Sequence, residues 1–456
     1  MNKELTRVQM EVLKRIRPTR DERDSLHRVT QQLISAAESA IETRSLKATV
    51  QVIGSASRDT WISGEHDIDI FIGFDVTTSR EDLERYGLEI GKEIAVQDYV
   101  IGFAEHPYVK ARCHDFAIDV VPYYVIENTN QLLSAVDRTP FHEQYVGEHL
   151  GARQDDVRLL KQFLKGAGIY GAELRVKGFS GYLCELLVIK YGSFTGVLLN
   201  AQDWKVGTCI SLTGKHARSS FGSPLAVIDP VDTKRNVAAA VSLDSFSTFI
   251  DSARSFLERP CTECFFPPEI APLDTSAFHA IAKKRKATLF GVKFNLPNLV
   301  DDIAYPQLER AHKGMLIALQ RHGFSALRGG IYYDQGEALL LFETLVWQLP
   351  AVKKHMGPPV DTKRHASTFK KKYVKDNSVL AGPFIEDGRY VVELHRRYLT
   401  LPEYINVEFR NIRTSKAILQ AMQEGFQILK DEEILESDGM RLFLARYFNR
   451  TLNNCD

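Results

Sequence analysis

The chain has 456 residues, 44% of them hydrophobic, and its 58 basic side chains balance 58 acidic ones. Single cores stop growing near roughly 250–300 residues, so this length implies more than one domain. No run of about 18 uncharged apolar residues occurs, and the Lys-, Arg- and Glu-rich start lacks an apolar signal-peptide centre, so a cytoplasmic protein with no membrane partner is expected.

After Pro18-Thr19, the apolar residues Leu26, Val29, Leu33, Ile34, Ala37 and Ile41 recur at helical spacing and predict one long amphipathic helix. A strand follows from Ala48 to Ile53, broken by Gly54-Ser55 and a short helical turn. Alternation then marks a second strand, Asp67 to Phe74. A helix around Glu81–Ile94 leads to strands near Tyr99–Ala104, Tyr108–Cys113 and Phe116–Pro122, the last two joined by a hairpin turn at His114-Asp115. This first unit is an α/β domain.

From Gln154 to about Glu258 the pattern is mainly helical, with Ser180 reading as the cap of a helix carrying Leu183, Leu186 and Leu187. Pro260, Pro267, Pro268 and Pro272 mark a boundary. Strand Leu289–Phe294, helix Gln307–Gly323 and strands near Ile331–Tyr333 and Ala338–Trp347 make a small β-α-β-β unit. Gly357-Pro358-Pro359 reads as the start of an irregular basic stretch, Glu386-Asp387-Gly388-Arg389 as a hairpin turn, and a helix-rich tail runs from Thr414.

Cysteines at 113, 184, 209, 261, 264 and 455 are too scattered for a disulfide framework. Cys261 and Cys264 form a CxxC, but structural zinc takes four ligands and no second pair follows, so two ordinary thiols are expected. Zero net charge speaks mildly against nucleic acid. Clusters decide more than the total, and Lys283-Lys284-Arg285-Lys286, Lys370-Lys371-Lys372 and Arg396-Arg397 all lie in the C-terminal half. Solvated surface and a phosphate-facing surface are both open readings of these runs.

The chemistry concentrates at Gly54-Ser55 followed by Asp67-Ile68-Asp69-Ile70-Phe71. Residues two apart on a strand share a face, so Asp67 and Asp69 project together while Ile68 and Ile70 enter the core. Paired carboxylates repel unless a cation sits between them, and Mg²⁺ takes a few carboxylates together with substrate phosphates. Asp119 interrupts the apolar run Phe116 to Val121, where a lone Asp is unusual for a strand. Three acids on adjacent strands can hold two metals, one activating an attacking hydroxyl and one steadying a leaving pyrophosphate. Salt-bridged acids are the plainer alternative. Gly54-Ser55 at a helix start offers N–H groups and a hydroxyl to an anion, and Arg58 one turn on adds a charged grip.

These residues resemble the polymerase-β nucleotidyltransferase superfamily, whose signature is Gly-Ser, a spacer and paired acids. Longer blocks resemble archaeal (class I) CCA-adding enzymes: Gly54 to Trp61, Ala104 to Tyr108, Ala135 to His142, Gly178 to Leu187, Asp229 to Asp232, Lys234 to Ala238 and Tyr305 to Ala311. One departure is Asp67 where that family often carries Glu. The charge is kept and the reach shortened.

The resemblance implies an α+β multidomain protein. Its parts would be an α/β nucleotidyltransferase head (1–145), a helical neck (146–262), an RRM- or ferredoxin-like β-α-β-β body (263–330, with 400–456 returning) and a mixed α/β tRNA-binding tail (331–399). It implies Asp67, Asp69 and Asp119 as catalytic metal ligands for two Mg²⁺ ions. Ser55 and Arg58 would hold the triphosphate, His142, Lys161 and Tyr170 would line the nucleotide pocket, and Arg235 would help read the base. Taken alone, these last four read as a structural histidine, a solvated lysine, a packed aromatic and a surface charge, and only the resemblance raises them above that.

The implied activity adds CCA to the 3′ end of tRNA, and repairs it, from CTP and ATP. C and A each present an amino donor beside an unprotonated ring nitrogen, whereas U and G reverse that pattern, so one Arg with an RNA phosphate can accept both correct bases. RNA would be read by shape, and a homodimer is compatible with the sequence. The rivals are a poly(A)-polymerase-like or oligoadenylate-type transferase sharing the same acids, and a tRNA-binding module with a dead site.

Overall fold

The computed structural model describes residues 3–95, 99–103, 105–214, 221–297, 299–412 and 414–450. These fall into two compact units, the first ending at Pro268 and the second spanning Glu269–Arg450. Ala104, where the third strand and one resemblance block were expected to reach, lies outside the described residues, as do Cys455 and the last six positions of the expected body.

In chain order the first unit contains α1 (Lys3–Ile16), α2 (Arg20–Thr43), β1 (Ala48–Ile53), α3 (Ser55–Arg58), β2 (Asp67–Asp75), α4 (Arg80–Ala95), β3 (Tyr99–Phe103), β4 (Pro107–Cys113) and β5 (Phe116–Val125). It continues with α5 (Thr139–Leu150), α6 (Gln154–Gly166), α7 (Gly181–Tyr191), α8 (Phe194–Ala201), β6 (Thr208–Ser211), β7 (Leu225–Ile228) and α9 (Leu243–Glu258). A capping box starts α2: the Thr19 hydroxyl accepts from Glu22 N and the Glu22 carboxylate accepts from Thr19 N. Its stripe Leu26, Val29, Leu33, Ala37 and Ile41 packs with Ile68, Ile70, Ile72 and Phe74 of β2 in one core.

The sheet runs β1-β2-β5-β4-β3, with β2 and β5 parallel and the other pairs antiparallel. A second core belongs to the helices α5 to α9. It also takes Leu5, Val8, Val12 and Ile16 of α1, so the expected head at 1–145 loses its first helix to the neck. The apolar pair α7 and α8, bent by 89°, is buried in this core, and no single helix among the described residues is long and apolar enough to cross a membrane.

The second unit contains α10 (Thr275–Arg285), β8 (Thr288–Asn295), α11 (Asp301–His322), β9 (Ser325–Asp334), β10 (Glu337–Val346), β11 (Val352–Pro359), α12 (Lys363–Tyr373), β12 (Val379–Glu386), β13 (Arg389–His395), α13 (Leu401–Glu408), α14 (Lys416–Glu424), β14 (Phe426–Lys430) and α15 (Asp438–Phe448). An antiparallel sheet β14-β8-β10-β9 carries α11 and α13 in one core and α10 and α15 in another.

Three expectations change here. The body's strands run on to Val346 rather than ending at 330, because β9 and β10 pair within this sheet. Helix α11 begins at Asp301 with Pro306 inside it, six residues before the expected Gln307. Gly357-Pro358-Pro359 ends β11 instead of opening an irregular stretch. That strand is at the edge of the sheet β11-β13-β12, and its register against β13 shifts between Met356 and Pro359, the edge and bulge positions at which a strand tolerates proline.

Candidate active site

The parallel register of β2 and β5 sets Asp69 directly opposite Asp119, with Asp67 two residues back on the same face as Asp69. Ile68 and Ile118 on the opposite face are buried in the core and lock this orientation. Burial, then the charges of Asp119 and Asp67, push the Asp69 carboxyl up to about 7. Burial also raises Asp119, with Lys110 pulling against it and Asp67 adding to it.

Lys110 is a site residue that sequence reasoning missed. It pairs across the β4–β5 hairpin with Asp119, its Nζ 3.6 Å from Asp119 Oδ2. So the plainer reading of a salt-bridged acid is realised at Asp119.

A carboxyl that burial and like charges hold near neutrality is a group that a cation would relieve, so the donor set fits a divalent metal. Among the described residues no three His, Cys, Asp or Glu side chains stand together as a finished ligand set. Mg²⁺ commonly completes its shell with water and substrate phosphates.

Gly54 ends β1 against this cluster. Its backbone has φ +100°, and a Cβ there would lie 2.5 Å from Asp69 Oδ2. Next comes the one-turn helix α3 bearing Ser55 and Arg58. The anion-accepting groups here already hold a carboxylate: Glu143 on α5 accepts from Gly54 N at 3.0 Å, from the Ser57 hydroxyl at 2.5 Å and from Arg58 Nη1. Arg58 also grips Glu185 on α7 with two bonds, Nε to Oε1 at 3.0 Å and Nη2 to Oε2 at 2.9 Å. The residue expected to add a charged grip is therefore a guanidinium shared between two carboxylates.

The Thr60 hydroxyl donates to Glu185 at 2.7 Å, and Lys161 donates from Nζ to the Thr60 carbonyl at 2.9 Å. Lys161 is only 2% exposed, which removes the solvated reading, and burial lowers its pKa. A Cβ on Gly181 would sit 3.3 Å from the Tyr170 hydroxyl and 3.6 Å from Lys161 Nζ, so these side chains converge at the start of α7. Burial holds the Tyr170 hydroxyl protonated, and it lies within electrostatic reach of Asp67.

His142 and Arg235 meet at another residue missed from the sequence. Asp229, fully buried after β7, accepts from His142 Nε2 at 2.9 Å and from Arg235 Nη1 at 2.8 Å. The His142 ring stacks on Tyr182, centroids 4.1 Å apart. Burial outweighs Asp229 and lowers the His142 pKa. Neighbours His142 and Glu143 thus serve the two halves of the site, as do Tyr182 and Glu185 on α7. Glu185 and Asp229 stood inside resemblance blocks without being singled out; Glu143 and Glu185 meet Arg58 across 85 and 127 residues, and Asp229 joins Arg235, six residues on, to His142, 87 residues back.

Among the C-terminal cationic runs, Lys370, Lys371 and Lys372 are exposed on α12. Arg285 instead grips the buried Glu343, and Arg396 donates to the carbonyls of Val352 and His322. The thiols of Cys261 and Cys264 lie 3.5 Å apart.

Three family profiles match successive stretches: a nucleotidyltransferase domain over 34–142, the second domain of tRNA nucleotidyltransferases over 155–266, and the C-terminal domain of CCA-adding enzymes over 285–431. The chain is 40% identical to the CCA-adding enzyme of Methanosarcina acetivorans over 445 residues, covering 96% of this chain and 98% of that one. Against the CCA-adding enzyme of Methanosarcina barkeri it is 40% identical over 441 residues, covering 96% and 97%. The corresponding enzyme of Haloarcula marismortui is 38% identical over 466 residues, covering 98% and 99%.

Proposed function

This chain belongs to the CCA-adding enzyme family, and from that premise we propose that it builds and repairs the 3′ end of tRNA, adding C, C and A from CTP and ATP without a template and releasing pyrophosphate. The observation that carries the site reading is Asp69 opposite Asp119 in register, with the Gly54 backbone pressed against Asp69. Asp67, Asp69 and Asp119 would hold two divalent ions, expected to be Mg²⁺, which supply charge neutralisation to the triphosphate and acidity to the attacking 3′ hydroxyl.

The chain's own groups position the reactants. Ser55, Arg58 and the Gly54 amide offer donors to the phosphates, and Lys161 and Tyr170 stand beside them. His142 and Arg235 face the base. Little covalent chemistry is asked of the protein, so alignment and charge neutralisation carry the rate. Arg235 distinguishes C and A from U and G because the wrong bases leave buried hydrogen bonds unmade, at about 1–3 kcal/mol each.

In this reading the sheet domain is the catalytic head, the helical core with α1 the neck, the four-stranded sheet the body and the β11-β13-β12 sheet the tail. Body and tail grip the RNA backbone, and the protein works in the cytoplasm, with a homodimer as its assembly. The test is incubation with tRNA lacking CCA, Mg²⁺ and labelled CTP or ATP. Two C additions followed by one A, abolished by Asp69→Asn, is the expected result. Unlimited A addition without C would instead identify a poly(A)-polymerase-like enzyme.

A further inference from the structure

Asp229 stands where β7 ends, in a loop that folds back so that Ile228 bridges Asn236. The loop is tied twice through its backbone, Asp229 N to the Arg235 carbonyl at 3.1 Å and Arg235 N to the Asp232 carbonyl at 2.9 Å. Asn236 anchors its far side, its Oδ1 accepting from Val227 N and Ala238 N and its Nδ2 donating to Ser223 Oγ and the Leu225 carbonyl. The loop is therefore a rigid mount rather than a flexible connection.

The Asp229 carboxylate is 0% exposed and accepts four hydrogen bonds. Oδ2 takes His142 Nε2 at 2.9 Å and Arg235 Nη1 at 2.8 Å, and Oδ1 takes the Tyr182 hydroxyl at 3.2 Å and Val231 N at 3.1 Å. An ionised carboxylate has about four lone-pair directions and no proton to donate, so it is saturated. Although burial works the other way, the bonds from His142 and Arg235 hold its pKa down to about 2, and it stays ionised.

Two consequences follow. Nε2 of His142 must carry the proton, leaving Nδ1 as the unprotonated nitrogen of the neutral ring. Arg235 is tethered at one nitrogen while its side chain remains 35% exposed, so the rest of the planar fork is presented in a fixed direction.

We propose that Asp229 is the positioning residue for base selection: without touching the nucleotide, it aims the Arg235 fork and fixes the His142 tautomer against Tyr182. This rests on the reading of Arg235 as the base-reading side chain. A guanidinium that swings freely can offer donors to the carbonyls of U and G as readily as to the acceptors of C and A. A tethered one cannot.

The test measures kcat/KM of the full chain for CTP, UTP, ATP and GTP on tRNA lacking CCA, in Asp229→Asn, Arg235→Ala and the double variant. Arg235→Ala should lower the CTP-to-UTP ratio about tenfold or more, Asp229→Asn should approach it, and the double variant should lose no more than Arg235→Ala alone. If Arg235→Ala keeps the wild-type ratio, the base-reading assignment fails and takes this proposal with it. Should Arg235→Ala lose selectivity while Asp229→Asn keeps it, or should the losses add in the double variant, only the positioning role is overturned. Because removing a buried anion can unfold the loop, the wild-type His142 tautomer is measured as well by imidazole ¹⁵N shifts, assigned with His142→Asn. The proton on Nε2 supports the proposal and the proton on Nδ1 overturns it.

Discussion

Gly54 and Asp69 approach so closely that a methyl group on the glycine would sit 2.5 Å from a carboxylate oxygen. Gly54 also holds φ +100° and ψ −157°, a conformation essentially reserved for glycine. Substitution by alanine combines strain of about 1–3 kcal/mol with displacement of the acid beside it. Gly54→Ala should melt several degrees lower and lose about a hundredfold or more in nucleotide transfer, since misplacement near 1 Å has that effect. Wild-type kcat in this variant would sink the close-packing argument.

The carboxyl of Asp69 gives the fold a pH dependence. Its pKa rises from 3.8 to about 7 on folding, so its proton stabilises the native state fully below 3.8, and that contribution is lost as pH rises towards and through 7. In the presence of a chelator, Asp69→Asn should therefore gain melting temperature over wild type at pH 8 and much less at pH 5. Added Mg²⁺ should stabilise the wild type more at pH 8 than at pH 6 and leave Asp69→Asn nearly unmoved. Calorimetry at three pH values decides it, and a pH-independent difference would refute the assignment.

Much of this site was open to arithmetic on the sequence. Given a turn at His114-Asp115, pairing outwards from Cys113 and Phe116 places Lys110 opposite Asp119, which is the register found. The helix α1 was legible too, since Leu5, Val8, Val12 and Ile16 keep helical spacing, but the surrounding Lys, Arg and Glu masked the stripe. Glu143, Glu185 and Asp229 belong to another category. Each is an acid beside residues already singled out, and nothing local says that it would be buried against a partner more than eighty residues away. Periodicity reports which face of an element goes inwards; only the assembled helices decide which charges meet there.

Glu143 occupies two of the donors proposed for the triphosphate, the Gly54 amide and Arg58, and accepts from the neighbouring Ser57 hydroxyl as well. If the proposed phosphate site is right, incoming phosphates displace a charged competitor already seated. Glu143→Gln keeps an acceptor for the amide but gives up the negative charge, and Glu185 still holds Arg58 through two bonds. KM for CTP and ATP should fall several-fold with kcat little changed. An unchanged or higher KM would show that Glu143 does not compete with the nucleotide.

Arg58 has a structural duty that complicates its use as a catalytic probe. Glu185 is 1% exposed, and apart from Arg58 it has the Thr60 hydroxyl as its hydrogen-bond partner. Arg58→Ala breaks this buried pair and leaves the carboxylate one hydroxyl as hydrogen-bond partner, with the Lys161 ammonium in electrostatic reach, and breaking a buried pair typically costs about 3–5 kcal/mol. Urea unfolding should show a loss of that size, and Arg58→Ala combined with Glu185→Gln should recover part of it. If Arg58→Ala proves as stable as wild type, the lost activity can be assigned to phosphate binding alone.

The cationic runs of the second unit should separate into two kinds when RNA binding is measured against salt. Lys370, Lys371 and Lys372 lie exposed on α12, with the Lys372 ammonium 4.7 Å from the centre of the Tyr373 ring, and among the described residues no salt bridge holds them. Each phosphate that they neutralise releases counterions, so replacing all three with Gln should weaken binding and flatten the plot of log affinity against log salt. The slope should change by about 0.7–0.9 for every phosphate no longer neutralised. Arg285 is different, because its guanidinium is spent on Glu343, which is 0% exposed and also takes Arg328 and Tyr447. Arg285→Gln should lower the melting temperature and leave the salt slope where it was. Filter binding across a range of roughly 50–300 mM salt, run beside thermal melts, tests both halves. An unchanged slope in the triple lysine variant would remove α12 from the RNA-binding surface.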